Sequence, residues 1–342
     1  MDYEPQVILI TGGAGFIASH VVVHFVTQYP QYRIVVVDKL DYCASLNNLN
    51  NVKGCPNFKF YIADITDAHT MQKIFEMEKV DTVMHFAAQT HVDNSFGNSF
   101  QFTHNNIMGT HVLLEVAKNA KVRRFIHVST DEVYGQVIGN AATENSLLNP
   151  TNPYSATKAG AEFIARAFYQ SFGLPLIITR GNNVFGPHQF PEKLIPKFIT
   201  LLDRGLNCSI HGNGNEKRSF IYVDDVVNAF DLILRKGVVG QIYNIGTTRE
   251  ISNTEVTHDL LDIFGVPKDE QESRIYHVEN RCFNDQRYSL DVSKLEKLGW
   301  KAETKFEDGL KKTVEWYLKN KKNWERTDEA LVPHPRFGQA SN

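Results

Sequence analysis

The chain has 342 residues, 42% of them hydrophobic and 22% charged, with a formal net charge of −3. That is an ordinary globular composition, long enough for a large core and two lobes. It excludes a basic nucleic-acid surface and a polybasic membrane patch, and no apolar run approaches the roughly 20 residues of a spanning helix.

Val7 to Ile10 is a continuous apolar run, as expected of a strand buried on both faces. Thr11-Gly12-Gly13-Ala14-Gly15-Phe16-Ile17-Ala18 follows, and a helical pattern then runs to Tyr29 and stops at Pro30. Strand, glycine-rich turn and helix in that order make an anion site. The glycines let the backbone approach a pyrophosphate, which sits on the N–H groups of the helix start. Ala18 stands where a third glycine is common and is small enough for close helix–strand packing. Ile34 to Val37 is a second strand ending in Asp38, placed to accept hydrogen bonds from a ribose 2′-hydroxyl. That acid favours NAD over NADP, and Lys39 beside it softens the preference. Phe58 to Ile62 leads to Asp64-Ile65, expected to line the adenine. Thr82 to Phe86 is a fourth strand, and Ala87-Ala88 at its end let the cofactor lie close. Gln89 to Ser95 reads as a polar loop carrying His91, Asp93 and Ser95. Asn105 to Ala120 reads as an amphipathic helix. Strands alternating with helices through five units predict an α/β fold with a doubly wound parallel sheet.

Phe125 to Val128 is the next strand, and Ser129-Thr130-Asp131-Glu132 closes it. Carboxyl ends of parallel strands are where ligands bind, so two adjacent acids there read as acid/base chemistry. Successive strand residues point to opposite faces, so a bend at the strand end is required to aim both. Ser155 to Phe172 is a helix stopped by Gly173 and Pro175. Tyr154 and Lys158, four apart at its start, share one face. A lysine beside a phenol favours the phenolate, making Tyr154 a general-base candidate. The plainer reading is an exposed tyrosine and a solvated lysine.

After the strand Leu176 to Thr179 the rhythm breaks at Asn182, Asn183, Gly186 and Pro187. The expected division is residues 1–180 mainly for a dinucleotide, with returns around 220–247. Residues 181–330 are expected to form mainly a substrate lobe, and 331–342 a tail. Lys193, Arg218, Asn253, Arg281 and Arg287 are donors suited to a diphosphate, although by position alone each is more often a solvated charge. Asp224 and Asp225 are expected to cap, or merely charge, the first turn of a helix reaching Lys236. Asp308 to Asn320 is expected to be the terminal helix, with no helix signal beyond it. Cys43, Cys55, Cys208 and Cys282 fall at no ligand spacing, and the start of the chain carries no signal-type segment. Both point to a reducing, cytoplasmic setting. Thirteen histidines form no H-E-x-x-H or clustered pair, so no metal site is expected.

The glycine turn, Asp38, Asp64-Ile65 and Tyr154-x-x-x-Lys158 resemble the extended short-chain dehydrogenase/reductases that act on nucleotide sugars. Thr130-Asp131-Glu132 is similar to the nucleoside-diphosphate-glucose 4,6-dehydratases, whereas sugar epimerases of the family usually carry Ser or Ala at the two acid positions. The resemblance extends through Gln89–Ser95, Asn182–Pro187, Pro191–Pro196 and Arg281–Tyr288, with wording closest to eukaryotic UDP-rhamnose-pathway modules. It implies a Rossmann-type fold, bound NAD, UDP-glucose or dTDP-glucose as substrate, and a homodimer built on the helices around 105–120 and 155–172. It implies that Tyr154 and Lys158 act at the C4 hydroxyl, with Thr130 bonding the same oxygen. Glu132 is the implied base at C5 and Asp131 the acid at C6. Ser95, Asn183, Lys193, Arg218, Asn253 and Arg281 are implied substrate contacts, with Ser209 and His211 near the base. His211 and Cys282 depart from bacterial relatives, so uracil and thymine both stay open. A nucleotide-sugar 4-epimerase and a non-catalytic NAD-binding protein are the alternatives.

Overall fold

The computed structural model describes residues 2–280, 285–324 and 327–333. Its strands are β1 (Val7–Thr11), β2 (Arg33–Asp38), β3 (Phe58–Ile62), β4 (Thr82–His85), β5 (Arg124–Thr130) and β6 (Leu176–Gly181). They continue with β7 (Asn183–Phe185), β8 (Cys208–His211), β9 (Lys217–Tyr222), β10 (Ile242–Ile245), β11 (Glu250–Ser252) and β12 (Ile275–Val278). Seven of them form one parallel sheet in the order β10-β6-β5-β4-β1-β2-β3. The chain winds outward through β2 and β3, then crosses back to β4 beside β1. The order therefore reverses between β1 and β4, and a crevice opens at their carboxyl ends.

Both faces of this sheet are buried, which is why its strands are continuously apolar rather than alternating. Ile8, Ile10, Ile34, Val36 and Ile126 pack with Val21, Val22 and Phe25 of helix Phe16–Gln28 and with Phe230 and Ile233 of helix Val223–Lys236. Leu9, Val35, Val37, Val83 and Phe125 point the other way. They meet Met71 and Ile74 of helix Ala68–Glu78, Leu113 and Leu114 of Gly109–Asn119, and Phe168 of Pro153–Phe172. Each such side chain contributes roughly 1.5–3 kcal/mol on burial. A second core gathers Phe185, Phe198, Phe220, Leu260 and Leu310. Around it lie the small sheets β11-β9-β7 and β12-β8 and the helices Leu194–Asp203, Asn253–Ile263 and Phe306–Lys319.

Several elements differ from the sequence expectation. The stretch after β4 is not all loop: Val92–Gly97 is a short helix with His91 as its N-cap. The amphipathic helix starts earlier, at Ser99, where the Asn98 side chain accepts from Gln101 N–H. It passes through a wide π-type segment, Thr103–Met108, before Gly109–Asn119. Helix Pro153–Phe172 begins before Ser155, because Asn152 and Ser155 form a capping box and Pro153 occupies the first turn. Asp225 neither caps its own helix nor sits idle. Its carboxylate accepts from the backbone N–H of Glu303 at 3.1 Å and of Thr304 at 3.0 Å, tying down the approach to the last long helix. Beyond that helix, Asp328–Leu331 adds a further turn.

His85 lies 1% exposed under the sheet. Its ring nitrogens meet Thr11 Oγ1 at 2.8 Å and Thr110 Oγ1 at 2.9 Å. Burial, then the Lys158 charge, pulls its pKa down to about 3, and burial lowers His127 in the same way. Both bind a proton more readily unfolded. The His85 contribution is whole above the unfolded value near 6.5 and is lost as pH falls toward 3; that of His127 is lost in the same direction. Unfolding free energies from urea titrations should drop steeply between pH 6.5 and 4.5, His85 contributing about 1 kcal/mol per pH unit. His85→Asn should flatten the slope; an unchanged slope would clear His85 of responsibility.

Candidate active site

At the crevice, Gly12 follows β1 with φ +71, and a Cβ there would stand 2.8 Å from the Cα of Ala87 at the end of β4. Only glycine meets both demands. Gly15 is the N-cap of helix Phe16–Gln28 and supplies no side-chain cap, so the first-turn amides are left for an anion, the arrangement a pyrophosphate needs. Asp38 ends β2. Its Oδ2 accepts from Ala14 N–H at 3.0 Å and its Oδ1 from Leu40 N–H at 2.7 Å, while burial raises its pKa. Lys39 does not stand as a free cation. Its Nζ donates to Asn105 Oδ1 at 2.9 Å and lies 3.6 Å from both Asp41 and Asp64. Those acids remove its attraction for a 2′-phosphate. Gly12, Gly15, Phe16, Ile17, Asp38, Lys39, Asp64, Ile65, Ala87 and Ala88 all line one cleft of about 1490 Å³. That volume has room for a dinucleotide and a second ligand.

β5 delivers the acid pair to the same cleft. The chain leaves extended geometry at Thr130, whose Oγ1 accepts from Glu132 N–H at 3.3 Å and caps the 3₁₀ turn Asp131–Tyr134. This turn supplies the expected bend, but it brings only the Glu132 carboxyl to the cleft. Glu132 lines the cleft and its Oε2 accepts from Asn152 Nδ2 at 3.2 Å. Asp131 is 3% exposed and lies behind the wall. Its Oδ2 takes Asn182 Nδ2 at 2.7 Å, and Thr130 Oγ1 lies 3.3 Å from its Oδ1. Burial, then the neighbouring Glu132 charge, pushes Asp131 up to about 7.

Tyr154 and Lys158 line the cleft together at the start of helix Pro153–Phe172. The expected lowering of the phenol by Lys158 is reversed in this protein. Burial, then Glu132, raises Tyr154 above its ordinary value, against a hydrogen bond from Thr130 that pulls it down. The Lys158 ammonium is engaged elsewhere, on the Val128 carbonyl at 2.7 Å, and burial draws it down to about 8.

The far half of the cleft holds Asn183, Lys193, Ser209, His211, Arg218 and Asn253. Lys193 Nζ donates to Thr90 O at 2.7 Å, and the Arg218 guanidinium lies 4.7 Å from the Tyr288 ring centre. Ser209 Oγ is buried with no hydrogen-bond partner among the described residues, a donor suited to a bound base. Ser95 is not brought to the cleft. Because Val92–Gly97 is helical, its hydroxyl turns back to Val92 O at 2.6 Å and is fully buried. Arg281 lies outside the described residues.

Other cleft residues carried no sequence signal. Tyr42 donates to Glu192 Oε2 at 2.7 Å. From the stretch after helix Phe306–Lys319, Asn323 O accepts from Ser45 Oγ at 2.8 Å and from Asn47 Nδ2 at 3.1 Å, and Trp324 joins the wall beside it. Asn152 carried no signal of its own, and Asn182 was named only as a break in the rhythm and within the Asn182–Pro187 resemblance. Among the described residues no metal-binding cluster exists, and no helix is long and apolar enough to cross a membrane.

Dinucleotide turn, acidic strand end and Tyr-x-x-x-Lys on one cleft define an extended short-chain dehydrogenase/reductase. A family profile described as GDP-mannose 4,6 dehydratase matches residues 9–313, and the chain belongs to that family. It is 58% identical over 339 residues to a trifunctional UDP-glucose 4,6-dehydratase/UDP-4-keto-6-deoxy-D-glucose 3,5-epimerase/UDP-4-keto-L-rhamnose-reductase of Arabidopsis thaliana. That match covers 98% of this chain and 51% of the relative. The chain thus spans about half the length of such plant relatives. It is 50% identical over 330 residues to the dTDP-D-glucose 4,6-dehydratase of Mus musculus, covering 96% of this chain and 93% of the relative. Among solved structures, it is similar to a dTDP-glucose 4,6-dehydratase from Streptomyces venezuelae with NAD and TYD bound. There the TM-score is 0.89 at 42% identity, over 94% of this chain and 99% of that one. A UDP-glucose 4-epimerase from Thermotoga maritima reaches a TM-score of 0.84 at 33% identity, over 92% and 99%. The backbone alone therefore does not separate dehydration from epimerisation.

Gly12→Ala should cost about 2 kcal/mol or more through its left-handed backbone and the contact with Ala87. Gly54→Ala, whose Cβ meets nothing within 4 Å, should stay within about 0.5 kcal/mol. Urea unfolding of the two variants checks this, and equal costs would remove the close-approach explanation.

Proposed function

We propose that the chain binds NAD and catalyses 4,6-dehydration of a nucleoside-diphosphate-glucose, UDP-glucose or dTDP-glucose, to the 4-keto-6-deoxy sugar. The observation carrying this reading is the division of two adjacent carboxyls into a buried one held near neutrality and one exposed to the cleft, beside Tyr154 and Lys158. A hydro-lyase needs such a pair: one group to take a proton from carbon, another to give one to a leaving hydroxyl. Epimerisation at C4 needs neither.

The proposed roles follow. When bound, NAD supplies the hydride acceptor at C4 and returns the hydride at C6, so it undergoes no net change. Gly12, Gly15, Phe16 and Ile17 hold its pyrophosphate, Asp38 its ribose, Asp64 and Ile65 the adenine side, and Ala87 and Ala88 permit close approach. Tyr154 takes the C4 hydroxyl proton, with Thr130 on the same oxygen and Lys158 holding positive charge below. Glu132 removes the C5 proton, made acidic by the neighbouring ketone. Asp131, next to Thr130 on the same turn, protonates the departing C6 hydroxyl. Lys193, Arg218, Asn183 and Asn253 take the diphosphate, and Ser209 and His211 the base. The large sheet is thus the cofactor half and the smaller lobe the sugar-nucleotide half.

A homodimer in the cytoplasm is part of the same proposal. Phe100, Met108, Phe163 and Phe172 are 88%, 51%, 54% and 57% exposed. They lie on the helical stretch from Ser99 to Asn119 and on helix Pro153–Phe172, an apolar surface suited to a second copy.

Incubation with UDP-glucose and dTDP-glucose side by side should yield a 4-keto-6-deoxy sugar from at least one. If only the C4 epimer forms, the dehydratase reading fails. Tyr154→Phe should abolish reduced-nicotinamide absorbance, whereas Glu132→Gln should oxidise C4 and stall with the cofactor reduced. Elimination should slow as pH rises through about 7, where Asp131 loses its proton, and that limb should vanish in Asp131→Asn. The sign for stability runs opposite to an ordinary salt-bridged acid. The folded pKa lies above the unfolded 3.8, so ionised Asp131 erodes stability as pH rises from 3.8 to 7. Asp131→Asn should therefore melt higher at pH 8, by the order of a few kcal/mol.

A further inference from the structure

Asn323 and Trp324, just beyond helix Phe306–Lys319, touch both halves of the cleft. On the cofactor half, the Asn323 backbone oxygen accepts from Ser45 Oγ at 2.8 Å and from Asn47 Nδ2 at 3.1 Å. Its side-chain Nδ2 donates to Asn48 Oδ1 at 2.9 Å. On the substrate lobe, the Trp324 ring centre lies 5.9 Å from those of Phe190 and Tyr317 and 5.8 Å from that of Trp316. Both residues line the cleft, and neither has a part in the chemistry described above.

The Asn48 contact leads to the glycine turn. Asn48 Nδ2 donates to Ala14 O at 3.0 Å, and Ser45 N–H donates to the same oxygen at 3.0 Å. Ala14 N–H donates to Asp38 Oδ2 at 3.0 Å. Ala14, between Gly13 and the N-cap Gly15, is therefore held at both its N–H and its carbonyl. The polarity of the chain is fixed from this end. A carbonyl only accepts, so the Asn48 NH₂ must face Ala14 and its oxygen must face Asn323. Asn323 must then present its own NH₂, and only a donor serves there. Asn48 is 2% exposed and Asn323 9%. Loss of the donor would leave the Asn48 oxygen buried and unpaired, which costs more than the net worth of the bond.

We propose that Asn323 is a positioning residue for the dinucleotide. Through Asn48 it holds the Ala14 carbonyl, and with it the glycine turn whose following amides receive the pyrophosphate. With Trp324 seated on the other lobe, it keeps the cofactor in the cleft between turnovers. The proposal rests on the NAD site and not on the dehydration.

The test is cofactor exchange. The full chain is loaded with NAD carrying a radiolabelled adenine and challenged with excess unlabelled NAD, and the label retained is followed by rapid gel filtration. Asn323→Ala should lose label roughly tenfold faster than wild type, the effect expected of one buried acceptor left unpaired. Its two backbone bonds to Ser45 and Asn47 do not depend on the side chain. Asn323→Asp should be faster still: it sets a carboxylate against the Asn48 oxygen, and a turned Asn48 would set its oxygen against Ala14 O. The double variant Asn48→Ala/Asn323→Ala should exchange no faster than Asn48→Ala alone, since both act through one link. Lys321→Ala frees the same stretch from Asp203, which it meets at 2.6 Å, without touching Asn48. It should stay within about twofold of wild type, as an exposed pair does. Exchange in Asn323→Ala within about twofold of wild type overturns the assignment. So does Lys321→Ala exchanging as fast as Asn323→Ala, or multiplied effects in the double variant. The exchange uses no sugar, so its outcome is independent of the dehydration reading; a wild type that takes up no NAD overturns the cofactor reading itself.

Discussion

The turn that follows β5 sets the terms for the rest of the cleft. A strand continued past Thr130 would put Asp131 and Glu132 on opposite faces of the sheet. Thr130 instead caps a tight 3₁₀ turn, and the two acids leave it into different surroundings. Glu132 meets the side chain that caps helix Pro153–Phe172 and faces the cleft. Asp131 turns inward to Asn182. Loss of water and the neighbouring Glu132 charge raise the Asp131 carboxyl. Keeping an ionisable group there costs stability, a cost tolerated where function needs it.

The turn is held at both ends. At its far end Tyr134 donates to Asn244 Oδ1 and accepts from Arg180, each at 2.8 Å. Arg180 forms an ion pair with Glu162 at 2.6 Å, both side chains almost wholly buried. Such a pair adds little net stability over an apolar pair of the same shape, yet removing one partner strands the other. Its value here is positional. Glu162 stands one helical turn beyond Lys158, so the network fixes helix Pro153–Phe172 to β6 and to the acid-bearing turn together. Asn182 is fixed as firmly: a Cβ at Gly246 would lie 1.8 Å from its Oδ1, so that glycine is what lets the carboxamide lie against the backbone of Thr247.

Features that depend on near neighbours were legible in the sequence. The apolar runs of β1, β2, β4 and β5, the glycine turn and the four-residue spacing of Tyr154 and Lys158 are local patterns imposed by helix and strand periodicity. Features that depend on distant contacts were not. Ser95 looked like a loop residue because nothing in six residues announces a helix as short as Val92–Gly97. The raised Tyr154 phenol comes from burial and from Glu132, which a residue spacing cannot show. Asp131's place behind the wall depends on Asn182, fifty-one positions away along the chain. Asn323 reaches the cleft from beyond the last long helix through bonds to Ser45, Asn47 and Asn48, and Trp324 through ring contacts with Phe190.

Chains with this backbone perform more than one reaction, as the similarity to a Thermotoga maritima epimerase illustrates. Sheet order and glycine turn fix where a dinucleotide lies. On the proposed reading, Tyr154 and Lys158 fix where a sugar hydroxyl is oxidised. Neither constrains what happens at the next two carbons. That choice falls to side chains on a single turn and to the amide behind them. Replacing the two acids by small neutral residues would leave every strand, cap and ion pair of the scaffold in place. The chemistry of this cleft is thus carried by a part of the structure that the fold supports but does not require.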